Sequence, residues 1–204
     1  MKLNVFDFDE TIILFQSPNR FLLELLKVRP LKFKIFQILV KYRKGLKKIV
    51  GIDVKKIGIY LTKGISKDEI EKIAFKFYTS EIKKNLNPSI IKVMNDIDYK
   101  DAENIIISGG FTHYIKLFAK EWNIKQVIAN EIHIANGHST GFINEPDCMS
   151  TEKVRRLKRN FNLESYEEIL VYSDCMSDRP LFNISTQSFL VKEKKISVIS
   201  KTQI

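Results

Sequence analysis

Two carboxylates two residues apart, Asp7 and Asp9, close an apolar run containing Leu3, Val5, Phe6 and Phe8, and a hydroxyl follows at Thr11. Such a run reads as a buried strand, whose carboxyl end opens on the crevice where ligands of open α/β sheets bind. If the chain stays extended, both acids point to one side. Taken alone, the run is equally a strand entering an Asp/Thr turn. A second acidic pair, Asp174 and Asp178, follows the apolar stretch Glu168 to Ser173, at a spacing that a turn would close. Acids gathered at the ends of two strands of one sheet repel unless a cation lies between them, and a hard divalent ion with oxygen ligands answers that, Mg²⁺ best. Between these pairs, Ser108-Gly109-Gly110 follows Asn104-Ile105-Ile106-Ile107. A hydroxyl and two glycines between a strand and a helix suit a phosphate, although Ser-Gly-Gly is also an ordinary turn. Ser150-Thr151-Glu152-Lys153 reads as a hydroxyl-capped helix start, with an ammonium in its first turn that could reach the same anion or lie in solvent.

These residues need a scaffold that brings four distant segments to one edge. The chain alternates a strand, a long helical block, a strand, a helix, a strand, a hairpin, a helix and a strand before a short tail, which predicts a parallel α/β sheet. Phe21, Leu22, Leu25 and Leu26, and later Ile70, Ile73, Ala74 and Phe77, recur at helical spacing. Strand signals are nearly absent from this region, so residues 16–82 are expected to form an inserted helical cap, with 1–15 and 83–204 as the core domain. Ser66 and Glu69 form a capping box for the helix carrying Ile70 to Phe77. Asn136-Gly137 supplies the turn of a hairpin within Ile128 to Ile143. The stretch from Lys192 onward, with Ile196 to Ile199, is expected as a last edge strand.

The 204 residues are 44% hydrophobic with 14 Phe, enough for a substantial core and against a disordered chain. A formal charge of +10 favours anionic partners: phosphorylated metabolites, anionic lipid or nucleic acid. Much of it lies in the middle of the cap, where Lys32, Lys34, Lys41, Arg43, Lys44, Lys47, Lys48, Lys55 and Lys56 alternate with Phe33, Ile35, Phe36, Ile38 and Leu39. This reads as an amphipathic helix with a solvated face, or as a surface for a membrane or an anionic substrate. Two cysteines make no disulfide framework, and neither a signal peptide nor a membrane span is seen, so a cytoplasmic location is expected. His113, His133 and His138 are too scattered for a zinc site.

Asp7-Phe8-Asp9-Glu10-Thr11, Ser108 after its isoleucine strand, Lys153, and Asp174-Cys175-Met176-Ser177-Asp178 together resemble the four ordered motifs of the haloacid dehalogenase superfamily of phosphatases. Gly64 to Glu69, Asn136-Gly137 to Thr140-Gly141 and Cys148 to Leu157 extend the likeness to subfamily IB. That subgroup contains phosphoserine phosphatase and phosphatidylglycerophosphatase C and inserts a helical (C1-type) cap into a Rossmann-like core. The resemblance implies an Mg²⁺-dependent phosphomonoester hydrolase working through an aspartyl-phosphate. Asp7 would be the nucleophile and Asp9 the acid and base. Asp7, the Asp9 carbonyl and Asp174 would hold the metal, with Asp178 supporting. Ser108, the Gly109 N–H and Lys153 would hold the phosphoryl oxygens, and Thr11 would fix the loop.

Phosphoserine phosphatases carry a Glu at the mouth of the cap that reads the substrate amine; here the position is Gln16, which cannot pair an ammonium. That argues against phosphoserine as the main substrate and makes Gln16 and Ser17 the candidates for specificity. The expected substrate is a small organic phosphate. The alternative is a phospholipid phosphate, phosphatidylglycerophosphate-like, met at an anionic membrane surface. A basic binding protein without catalysis is disfavoured because no motif acid is missing, and no nucleic-acid signature is present.

Overall fold

A computed structural model describes residues 1–97 and 101–200. Its main sheet has the order β3-β2-β1-β6-β7-β8. The strands are β1 (Lys2–Phe6), β2 (Ala102–Phe111), β3 (Gln126–Asn130), β6 (Glu168–Ser173), β7 (Gln187–Lys192) and β8 (Lys195–Ile199). The first five run parallel, and β8 returns antiparallel along β7 as the edge strand expected near the C-terminus. A separate hairpin pairs β4 (Ile132–Ala135) with β5 (His138–Ile143), turning at Asn136 and Gly137, whose φ of 49° and 76° meet the positive-φ demand of a tight turn. It starts later than the sequence suggested, because Ile128 to Asn130 belong to β3 beside β2.

Alternation along the central strands makes two cores. Leu3, Val5, Ile105, Ile107, Ile169 and Val171 face one side, where Leu157 of α7 (Thr151–Asn160) and Leu181 and Phe182 of α8 (Arg179–Ile184) cover them. Phe6, Ile106 and Tyr172 face the other. There they merge with Phe8, with Tyr114 and Phe118 of α6 (Thr112–Glu121), and with Ile90 and Met94 of α5 (Pro88–Asp96). The same cluster continues into the helices between β1 and β2: α1 (Pro18–Leu26), α2 (Pro30–Val50), α3 (Val54–Leu61) and α4 (Lys67–Phe77). Phe21, Phe77 and Tyr114 meet edge-on or tilted, with centroids 5.0 to 5.6 Å apart, binding this block to the core. Ser66 and Glu69 form the capping box that opens α4. The hairpin joins the block as well, through Gly64 N–H to Ser139 O and Ser139 N–H to Ile65 O, each 2.8 Å.

Two local readings change. The segment Ser108-Gly109-Gly110 is not a turn: β2 runs through it to Phe111 and α6 begins at Thr112. Close packing is what requires Gly110, since a Cβ there would lie 2.7 Å from the buried Tyr114 hydroxyl, whereas one on Gly109 would meet only the flexible end of exposed Met149, 2.6 Å from its Sδ. Ser150 precedes α7 but makes no side-chain cap; its backbone takes φ 49° and its carbonyl accepts from Lys153 N–H instead.

Candidate active site

Strand register brings the acids together. Phe6 lies level with Ile106 on one side and Tyr172 on the other, so Asp7, Ser108 and Asp174 all emerge at the carboxyl edge of three adjacent strands. Asp7 N–H continues the ladder onto Tyr172 O at 2.9 Å. Asp7 and Asp9 are extended; Glu10 then turns at φ 56° and the loop closes through Ile13 N–H to Phe8 O. Asp7, Asp9, Asp178 and Lys153 are buried, whereas Asp174 is half-buried. The floor of a cleft of about 430 Å³ is formed by Asp7, Asp9, Gly109, Lys153 and Asp174. Gln16 lines its mouth and donates to Glu10.

Lys153 is the hub of the floor. Its Nζ donates to Asp7 Oδ1 at 2.8 Å and to Asp178 Oδ2 at 2.6 Å. Asp178 Oδ2 also accepts from Ser173 Oγ at 2.7 Å. Burial works against the ammonium, yet the two carboxylates outweigh it and hold Lys153 charged well above the ordinary lysine range. Asp7 is nevertheless raised, because burial and the nearby Asp178 exceed the help from Lys153. Asp174 rises to about 7 through burial and then through Asp7 and Glu10. Asp9 rises to about 7, chiefly by burial, against the hydrogen bonds from Ser17.

The excess of negative charge on this floor is the fit test for a cation. The charges that act most on Asp174 are the carboxylates Asp7 and Glu10, Lys192 is engaged by the Asp174 carbonyl, and Lys153 is occupied by Asp7 and Asp178. A hard divalent ion suits an all-oxygen donor set of that charge, and Mg²⁺ is commonly held by one or two carboxylates with water completing its shell. Among the described residues no three His, Cys, Asp or Glu side chains gather as a metal cluster. Asp7 and Asp174, which both line the cleft, are the two carboxylates that would be available to such an ion.

Other sequence candidates take different places. Ser17 is fully buried below the cleft: its N–H donates to Asp9 Oδ1 at 2.7 Å and its Oγ meets the Tyr114 hydroxyl at 2.5 Å. Ser108 is buried too, its Oγ accepting from Gly110 N–H at 2.9 Å. Thr11 Oγ1 is buried without a hydrogen-bond partner among the described residues. Some supporting residues escaped the sequence reading. Lys55, from the start of α3, spans the cleft to donate to Gly109 O and Asp147 Oδ1, both at 2.6 Å. Asn130 donates to the same two atoms. Arg156, one turn from Lys153, donates to Ala129 O and Pro146 O. Lys192 holds the Asp174 carbonyl at 2.7 Å. An Arg near a motif Lys was the only hint of these; the remaining partners lie far apart in the chain.

Known proteins share the fold and part of the sequence. A phosphoserine phosphatase of Lactococcus lactis subsp. lactis (strain IL1403) is 32% identical over 80 residues, covering 38% of this chain and 37% of that protein. One from Archaeoglobus fulgidus is 27% identical over 123 residues, 59% of this chain and 34% of its own length. The match thus spans about a third of these curated relatives. A crystal structure of a protein of unknown function from Bordetella pertussis Tohama I superposes with a TM-score of 0.78 at 18% identity, over 92% of this chain and 88% of that one. The sequence pattern of the haloacid dehalogenase-like hydrolases matches residues 5–183, from β1 to α8. On that span the chain belongs to the haloacid dehalogenase-like hydrolase family.

Proposed function

We propose that the protein is an Mg²⁺-dependent phosphomonoesterase for a small organic phosphate, with residues 16–82 as its cap. The observation that carries this is the buried Asp7–Lys153–Asp178 chain at the floor of the cleft, with Asp9 beside it. Asp7 Oδ attacks phosphorus, the new O–P bond forming as the bond to the leaving oxygen breaks. Asp9, which burial raises to about 7 so that its protonated form is well populated at neutral pH, delivers a proton to that oxygen. Ionised Asp9 then takes a proton from water, which attacks phosphorus, releases inorganic phosphate and restores Asp7. Ser17 N–H positions Asp9, and Ser17 is itself held by the Tyr114 hydroxyl. Lys153 and the Gly109 backbone offset the charge on the phosphoryl oxygens, with Ser108 bracing that strand. Mg²⁺, held by Asp7, Asp174 and the Asp9 carbonyl with Asp178 alongside, would supply Lewis-acid charge toward those oxygens.

A cleft of this volume suits a small metabolite. The curated relatives are phosphoserine phosphatases, but the neutral Gln16 offers no partner for a substrate ammonium. Hydrolysis of p-nitrophenyl phosphate tests the proposal. Turnover should require Mg²⁺, cease with EDTA and cease in Asp7→Asn; metal-dependent turnover surviving in that variant would remove Asp7 from its role.

One observation favours a second reading of where the chemistry occurs. On the outer face of α2, Leu31, Ile35, Ile38 and Tyr42 are exposed at spacings of four, three and four, and Ile49 follows seven residues on, Leu31 being exposed by 74% and Ile49 by 82%. Lys34, Lys41 and Lys48 flank them, and α2 contains no acid. An apolar stripe with a basic flank suits an anionic membrane surface. No helix among the described residues is long and apolar enough to cross a membrane. Co-sedimentation with anionic vesicles at low salt decides the matter: binding lost in Ile38→Glu places the substrate at a bilayer, and no binding ends that reading.

A further inference from the structure

Across the cleft from Lys153, the wall is made by the C-terminal half of α2, which contributes Arg43, Lys44 and Lys47. Arg43 and Lys47 are seven and eleven residues beyond buried Phe36, so they continue the face that packs inward earlier in the helix. At the point where this face leaves the body and overhangs the cleft, it changes from apolar to cationic. Among the described residues none of the three ion-pairs with a carboxylate, whereas the other two lysines of the cleft do: Lys55 with Asp147, and Lys153 with Asp7 and Asp178. The single hydrogen bond given for Arg43 is to Val40 O at 3.3 Å, within its own helix. Asp53, an acid of the cap that also lines the cleft, is engaged at the start of α3, where it accepts from Lys55 N–H at 3.0 Å. Like charges one turn apart destabilise a helix, and among the described residues no carboxylate pairs directly with these.

Resting on the phosphomonoesterase reading above, we infer that Arg43, Lys44 and Lys47 form a second anion subsite, and that the substrate is a phosphomonoester carrying a second phosphate-type anion at its far end. The reacting phosphoryl group lies on the floor with Asp7 and Lys153, and the distal anion meets the cap wall. An arginine fork beside two ammonium groups suits phosphate-type oxygens. A cap that closed on such a substrate would hold it at both ends.

The test compares α,ω-alkanediol bisphosphates of graded length with the corresponding monophosphates, by initial rate at physiological ionic strength. The wild type should favour one bisphosphate over its monophosphate by about tenfold in kcat/KM, the worth of one charge-assisted contact. Arg43→Gln with Lys47→Gln should bring that ratio close to one. Capping the distal phosphate as a methyl diester tells a diester head group from a free phosphomonoester. A wild type with no preference at any length overturns the subsite. So does an equal loss on both members of a pair, which would mark general steering by the basic cap. If no phosphomonoester is turned over, the catalytic reading has failed. Calorimetric binding of the same pair to the unmodified protein then judges the subsite separately, equal affinities counting against it.

Discussion

Replacing Asp9 by Asn should make the metal-free protein more stable at alkaline pH while abolishing sustained turnover. Asp9 is 6% exposed, and its pKa rises from 3.8 to about 7 mainly because burial disfavours the charged form. The sign follows from proton binding: between these values the folded protein holds a proton that the unfolded chain releases, so stability falls as pH rises through the window. At pH 8 the raised pKa of Asp9 costs roughly 4–5 kcal/mol relative to full protonation in both states, and at pH 5 roughly 1–2 kcal/mol. The difference, about 3 kcal/mol, should be missing from the Asp9→Asn variant, whose amide oxygen can still accept from Ser17 N–H. Urea unfolding in EDTA at both pH values reads it directly. The wild type should lose about 3 kcal/mol relative to the variant on going from pH 5 to pH 8. Asp7 and Asp174 titrate in both proteins and largely cancel. Parallel stability in the two proteins across that range would show that burial does not raise Asp9, and its protonation at neutral pH would need another source.

Further expectations concern the supports of the site. Lys153→Met leaves Asp7 and Asp178 buried without their cation, and should cost about 3–5 kcal/mol in denaturant unfolding together with loss of turnover. Ser17→Ala keeps the backbone donor to Asp9 but removes one of the two partners of the Tyr114 hydroxyl, leaving it only Phe111 N–H. It should lower stability by about 1–2 kcal/mol and shift the acidic limb of the pH–rate profile, with KM unchanged if Ser17 positions Asp9 and raised if it touches substrate. Gly58→Ala would set a Cβ 2.4 Å from Phe36 Cζ and 2.8 Å from Leu22 Cδ1, where α1, α2 and α3 meet. Overpacking of that kind should cost about 1–3 kcal/mol, seen as a lower Tm, and should weaken the preference for a bisphosphate because α2 carries the cationic wall.

The chemistry-bearing acids were legible because each follows a strand whose bulky apolar residues announce it, and parallel register does the rest. Once Phe6 stands level with Ile106 and Tyr172, Asp7, Ser108 and Asp174 must share an edge. The capping box of α4 and the Asn136-Gly137 turn were legible for a local reason, since their partners lie within a few residues. Signals that looked local and were not proved less readable. Ser108-Gly109-Gly110 has the composition of a turn, but Gly110 answers to Tyr114, and the strand runs straight through. Ser150 has the type of a cap and the wrong backbone for one. Ser17 sits next to the cleft-lining Gln16, yet its side chain is directed to Tyr114, nearly a hundred residues away. Lys55 was one cation among many in a basic stretch; only the folded chain shows that it alone reaches Gly109 and Asp147, while Arg43 and Lys47 remain free of carboxylates among the described residues.

The central claim is that Asp7 forms the bond to phosphorus and that Asp9 is needed to break it again. Acid-quenched mass spectrometry of the Asp9→Asn protein, mixed with p-nitrophenyl phosphate and Mg²⁺, tests both halves at once. An aryl leaving group departs without a proton, so the first step should proceed and the second should stall. One phosphoryl group should then accumulate on the peptide bearing Asp7. A nitrophenol burst equal to the enzyme concentration, with that peptide unmodified or the phosphoryl group on another residue, would contradict the account.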